Sequence, residues 1–154
     1  DGGGDYMIPP HGTLMTQGFH SFDHPVRIDS WQPHMHLRGV AMSLEMFNPE
    51  TGRKEMLSQA SNWTAAWNHS HTYEEGYQPL VPAGATLIIS AWYDNTENNP
   101  MNPDPDQWVG AGQRTTDEMS HAWIAVTHLD EAGYEKLLVE REERDQRSLA
   151  GSDD

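Results

Sequence analysis

Two histidines one residue apart, His34 and His36 in Trp31-Gln32-Pro33-His34-Met35-His36-Leu37-Arg38-Gly39, have a spacing that suits metal chemistry. On a β-strand, alternation sends both imidazoles to one face with Cα atoms about 6.6 Å apart, and rings at that separation can meet one ion at about 2.0 Å each. An H-x-H pair alone is as common on a strand surface as in a metal site, so a distant partner has to decide. The candidate is Met119 in Thr115-Thr116-Asp117-Glu118-Met119, which opens a later strand and offers a thioether. Thioether is a soft donor that favours Cu(I), whereas zinc sites rarely use it. A single methionine is more often core than ligand, and only the two segments together make the case. Cysteine is absent, so disulfides and thiolate sites are excluded; nine histidines and eight methionines supply other donors.

His121 lies two residues after Met119, hence on the same strand face, as an additional ligand or a group that supports one. A second H-x-H, His69 and His71, is a weaker candidate for a second metal, with exposed loop histidines the simpler reading. His11, His20, His24 and His128 have no partner pattern and read as turn or surface residues. The tryptophans at 31, 63, 67, 92, 108 and 123 read as core. The oxygen-rich loop Asp94 to Asp106 misses the EF-hand spacing, and turn chemistry explains its Asn, Asp and Pro residues better than calcium does.

The elements that must position these residues are mostly strands. β-prone runs at Val26 to Trp31, His36 to Phe47, Ala85 to Tyr93 and His121 to His128 are separated by turn clusters such as Asn48 to Gly52 and Pro82-Ala83-Gly84, with Leu87 to Tyr93 reading as a central strand. The expectation is an all-β protein: an antiparallel, jelly-roll-like β-sandwich over 6–129, after a flexible N-terminus at 1–5. A short C-terminal helix over 130–144 is capped by Asp130, with Tyr134, Leu137, Leu138 and Arg141 on one face, and a disordered tail over 145–154 follows.

The 24 acidic and 9 basic residues give a formal charge of -15, which disfavours nucleic acid and anionic lipid as partners. No apolar run approaches the roughly 18 residues of a membrane span, so no membrane insertion is expected. A chain that starts at Asp1 reads as a processed product or a piece of a longer polypeptide. Two sequons, at Asn62 and Asn68, are expected by chance in an Asn-rich chain.

The Pro33 to Gly39 stretch, the Pro82-Ala83-Gly84 turn, Tyr93-Asp94-Asn95 with Asn99-Pro100 and Asn102 to Pro105, and Thr116-Asp117-Glu118-Met119 together resemble the C-terminal domain of the copper type II, ascorbate-dependent monooxygenases, in particular its bacterial branch. The animal relatives are peptidylglycine alpha-hydroxylating and dopamine beta-monooxygenase. The resemblance runs from about Ile8 to His128. It implies a jelly-roll-like sandwich, one copper held by His34, His36 and Met119 as the catalytic centre, dioxygen and a small organic substrate as reactants, and an extracytoplasmic location. In the family a second copper, on a preceding domain with three histidines, delivers the electrons. That domain is not in this chain, so the electrons must come from a second centre or a separate donor. Two other readings follow if they do not: a non-catalytic copper or electron-transfer module, and a structural or interaction subunit of a larger assembly. A local departure is Trp67 to Tyr73, two residues longer than the family's corresponding segment.

Overall fold

The computed structural model describes residues 5–150. Turn residues cut this stretch into β1 (Met7–Ile8), β2 (Thr13–Ser21), β3 (Val26–Met35), β4 (Gly39–Asn48), β5 (Arg53–Ser61), β6 (His71–Thr72), β7 (Leu80–Val81), β8 (Thr86–Asp94), β9 (Val109–Gly110) and β10 (Ser120–His128), followed by helix α1 (Glu131–Ala150). Gly84 shows how a turn is set: its φ of +76° lies in the left-handed region, which costs glycine little, and it delivers the chain from β7 into β8.

The strands form an antiparallel β-sandwich. One sheet has the order β2-β8-β4-β5; the other runs β10-β3-β6, with β7 also on β3, and β1 pairs with β9 as a separate ribbon. β8 is central, as its apolar sequence predicts. Trp31 and Met35 of β3, Met42 and Leu44 of β4, and Leu87 and Tyr93 of β8 are buried between the sheets, where removing apolar surface from water is the main stabilising term. Trp31 Nε1 donates to Ser58 Oγ at 2.9 Å, satisfying its polar edge in that core.

One irregularity orients the candidate site. Along the β3–β10 pairing Ser30 faces Ala125 and Ile28 faces Val126, so Asp29 is an extra, bulged residue. A bulge reverses the in–out phase of the rest of the strand. Val26 and Ile28 are buried before it; Trp31, Pro33 and Met35 are buried after it, which turns Gln32 and His34 to the outer face.

Several expectations change. The strand expected from His36 begins at Gly39, because residues 36–39 make a turn closed by Gly39 N donating to His36 O at 3.2 Å. Strands β2 and β5 were not foreseen. The C-terminal helix reaches Ala150, six residues beyond the expected 144, so a disordered tail from 145 does not describe 145–150, and 151–154 fall outside the described residues, as do 1–4 of the expected flexible N-terminus. Its charged second half is made of good helix formers, and Arg141 and Arg144 donate to the carbonyls of Gln78 and Gly76. Asp130 caps the start as expected, its Oδ1 accepting Gly133 N at 2.8 Å. Of the tryptophans only Trp31 and Trp63 are buried, while Trp67, Trp108 and Trp123 are exposed. No described helix is long and apolar enough to cross a membrane.

Candidate metal centre

The end of β3 and the entry to β10 are brought side by side by their pairing. His121 faces His34 and Ser120 faces Met35, the last pair of the ladder, so His36 and Met119 are the residues that follow and precede that pair. Glu118 ties the two segments together. Its fully buried carboxylate accepts the main-chain N–H groups of His36 at 3.0 Å, Arg38 at 2.6 Å and Met119 at 3.2 Å. Burial pushes the Glu118 carboxyl above the usual range, against the pull of these three donors, which favour the carboxylate.

The imidazoles of His34 and His36 lie with ring centroids 5.3 Å apart and planes at 88°. His36 Nδ1 is 3.1 Å from the main-chain oxygen of Asp117, which can only accept, so Nδ1 carries the proton and Nε2 keeps its lone pair for another partner. The carbonyl thereby fixes tautomer and ring orientation in the way that supports a metal ligand. His34 Nδ1 is buried without a hydrogen-bond partner. The His34 pKa lies below the ordinary histidine value because burial disfavours the charged ring, the neighbouring His36 and His121 add to this, and Asn68 opposes it. A neutral ring with an unsatisfied buried nitrogen, beside a second ring with a free Nε2, is a donor set that fits a metal ion.

The turn carrying His36 is held from beneath. Arg38, almost wholly buried, donates to Asn95 Oδ1 at 3.1 Å and to Thr116 O at 2.8 Å. Asn95 in turn donates to Pro9 O at 3.0 Å and Gln107 O at 2.9 Å, and Asn99 donates to Leu37 O at 3.1 Å. The Asn-rich loop after β8 therefore works as a scaffold, in keeping with turn chemistry. Sequence reasoning placed Arg38, Asn95, Asn99, Asp117 and Glu118 in recurring segments without giving them roles. The signal was their concentration around turns, where polar side chains satisfy main-chain groups.

The other candidate histidines stand at different places around this centre. His121 is exposed on the same face as His34, with Trp123 packed 5.4 Å from His34 and 5.5 Å from His121. His69 lies edge-on to Trp67 with ring centroids 6.2 Å apart and His71 is tilted against Trp31 at 5.9 Å, so each has its own aromatic neighbour. Asn68, between them and β3, accepts from Gln32 Nε2 at 2.9 Å. Among the described residues, no three His, Cys, Asp or Glu side chains are grouped as a metal site.

No protein-family model and no curated protein matches the chain.

Proposed function

We propose that this chain is a copper-binding oxidoreductase domain of the monooxygenase type, in which His34, His36 and Met119 hold one copper ion. The observation that carries this reading is the joining of the histidine turn to the Asp117-Glu118-Met119 segment, through the Asp117 carbonyl on His36 and the Glu118 carboxylate on both main chains. When bound by two imidazoles and a thioether, copper supplies one-electron chemistry with dioxygen and the hydroxylation of a C–H bond. The protein's own part is positional. The Asp117 carbonyl keeps the proton on His36 Nδ1, burial keeps His34 neutral, and Glu118 sets the separation of the two ligand segments. Electrons come from a second copper centre or a separate donor, the substrate is a small organic molecule, and the setting is extracytoplasmic; these three elements rest on the resemblance to the ascorbate-dependent copper monooxygenases.

The test is copper titration under reducing conditions with X-ray absorption at the copper edge, for the wild type and Met119→Ile. One Cu(I) per chain, with a sulfur scatterer that disappears in the variant, is the expected result. Copper bound without sulfur, or no tight copper, would sink the assignment. Substrate-dependent oxygen uptake with a reductant then separates the monooxygenase from a non-catalytic copper module.

A further inference from the structure

Among the described residues, three long strands lie at sheet edges: β2 and β5 in one sheet and β10 in the other. An edge strand presents unpaired N–H and C=O groups, and proteins usually blunt it with charge, proline or a bulge. β5 opens with Arg53, Lys54 and Glu55, and its ladder shifts register at Leu44/Glu45. The ladder of β10 shifts at Ala125/Val126. β2 has none of these devices. Its sequence, TLMTQGFHS, contains no Asp, Glu, Lys, Arg or Pro in a chain with a formal charge of -15, and it pairs with β8 along its whole length without a shift.

The free side of β2 follows from its bonds. Gly12 O accepts Asn95 N at 2.9 Å and Phe22 N donates to Ala85 O at 3.3 Å, so the residues flanking β2 turn their main chain towards β8. By antiparallel alternation Thr13, Met15, Gln17, Phe19 and Ser21 turn theirs away from it. The side chains of these five point out of the sandwich, and Met15 and Phe19 are 48% and 64% exposed.

This pattern is symmetric about Gln17. When a second β2 lies antiparallel along the first with a two-fold axis at Gln17, Met15 faces Phe19 of the other copy on both sides of the axis, and Thr13 faces Ser21. Thioether and aromatic ring make a favourable contact. Each joined row then runs from Trp92 through Met15 to Phe19 and Ile88 of the second copy. Gln17 does not obstruct the axis, because its Nε2 donates to Ser90 Oγ at 2.9 Å. The acidic residue of β8, Asp94, stands opposite Thr13 at the end of the ladder. The two copies of Asp94 are at least about 26 Å apart, well beyond the roughly 8–10 Å over which salt screens charge.

We infer that β2 is the interface through which two copies of this chain associate, joining their four-stranded sheets into one about a two-fold axis at Gln17. A cationic partner would meet no carboxylate on this strand, whereas a second copy meets its own complement. The interface does not rest on copper.

Sedimentation equilibrium of the chelator-treated chain, at concentrations up to about 200 μM, tests this. The expected result is a monomer–dimer equilibrium that stops at twice the 17.4 kDa monomer mass and tightens as salt screens the two net charges. Phe19→Glu, at an exposed position, weakens the dimer at least about tenfold by setting a carboxylate against Met15 of the other copy. Adding Met15→Lys recovers most of that loss, since in this register the new ammonium faces the new carboxylate across the axis. Within one chain the two positions are about 13 Å apart and do not compensate each other. Circular dichroism reports that both variants keep the fold. Monomer mass throughout, mass growing past the dimer, a dimer that weakens with salt or is indifferent to Phe19→Glu, or a loss that Met15→Lys does not relieve would each overturn the proposal.

Discussion

Glu118 and His36, 82 positions apart in sequence, are joined by a 3.0 Å hydrogen bond from the main-chain N–H of His36 to a carboxylate with no solvent exposure. The same side chain takes the N–H groups of Arg38 and Met119, so one residue fixes the distance between the two segments proposed to hold copper.

Truncating Glu118 leaves three buried donors without an acceptor, each worth about 1–3 kcal/mol of desolvation. The three are coupled, so Glu118→Ala is expected to cost about 3–5 kcal/mol in total, read from the denaturant midpoint. Glu118→Gln retains one acceptor oxygen and falls between. In both variants Cu(I) affinity drops by roughly 10–100-fold, as with other residues that orient ligands without touching the metal. A Glu118→Gln protein of wild-type stability and affinity would show that the carboxylate does not hold the two segments.

Arg38 lies behind the same turn and, among the described residues, takes no carboxylate in a direct ion pair; its side-chain donors go to Asn95 and to the main-chain oxygens of Thr116 and Asp104. Burial lowers its pKa, opposed by the nearby charges of Glu118 and Asp104. Arg38→Met removes the charge but leaves those acceptors unpaired, with an expected loss of about 2–4 kcal/mol. The distinguishing readout is hydrogen exchange. Amides from 94 to 106 and 114 to 118 exchange faster in the variant, while those in β8 and β4 keep their relative protection. Uniform acceleration would mean that Arg38 supports the whole fold and not this loop.

Gly39 closes the histidine turn where no side chain fits. A Cβ at this position would stand 2.4 Å from Met35 Cβ and 2.8 Å from its Sδ. Met35 is buried in the core, so it has little room to retreat. Gly39→Ala should therefore destabilise by about 1–3 kcal/mol, the usual cost of overpacking, and displace His36 through the bond from Gly39 N to His36 O. Pairing it with Met35→Gly, which removes the Cβ as well as the Sδ, in a double-mutant cycle checks the cause: a favourable coupling energy identifies the clash, and additive effects would contradict it.

The antiparallel sandwich was legible because strand alternation is local, and the histidine pair and Met119 stood out as candidates because they sit in short motifs. The orientation of His34 was not, since it depends on the bulge at Asp29, and a one-residue change in phase appears only when β3 is paired with β10. β2 escaped notice because its half-buried positions include Thr16 and Gly18 while Met15 and Phe19 are exposed, and β5 because most of it is exposed, so neither shows the apolar–polar alternation that marks a half-buried strand. His36 was read as part of a strand, whereas Glu118, far away in sequence, pins its N–H in a turn. The helix was read too short because its last turns carry charge and no apolar face; bonds from Arg141 and Arg144 to the 76–78 loop hold it, and no periodicity reports them.

The last prediction concerns pH. His11 Nδ1 lies 2.5 Å from Glu97 Oε1 and its Nε2 2.8 Å from Asp106 Oδ1, joining the start of the chain to both ends of the 97–106 stretch. The hydrogen bond to Glu97 raises the His11 pKa above its ordinary 6.5, with Asp106 adding to it. Glu97 is lowered from 4.5, first by its own main-chain hydrogen bond and then by His11. A raised histidine contributes stability that is complete below its unfolded value and is lost as pH rises through its folded value; a depressed carboxylate contributes above its unfolded value and loses this as pH falls through its folded one. The stabilising effect is therefore greatest between about 4.5 and 6.5 and declines on the alkaline side. Melting temperatures of the wild type and His11→Gln, measured from pH 5.5 to 9, should differ most at the acid end and converge at the alkaline end. Because all three groups are exposed, the difference should shrink in high salt. A gap that widens with pH would reverse the sign and exclude this triad as its source.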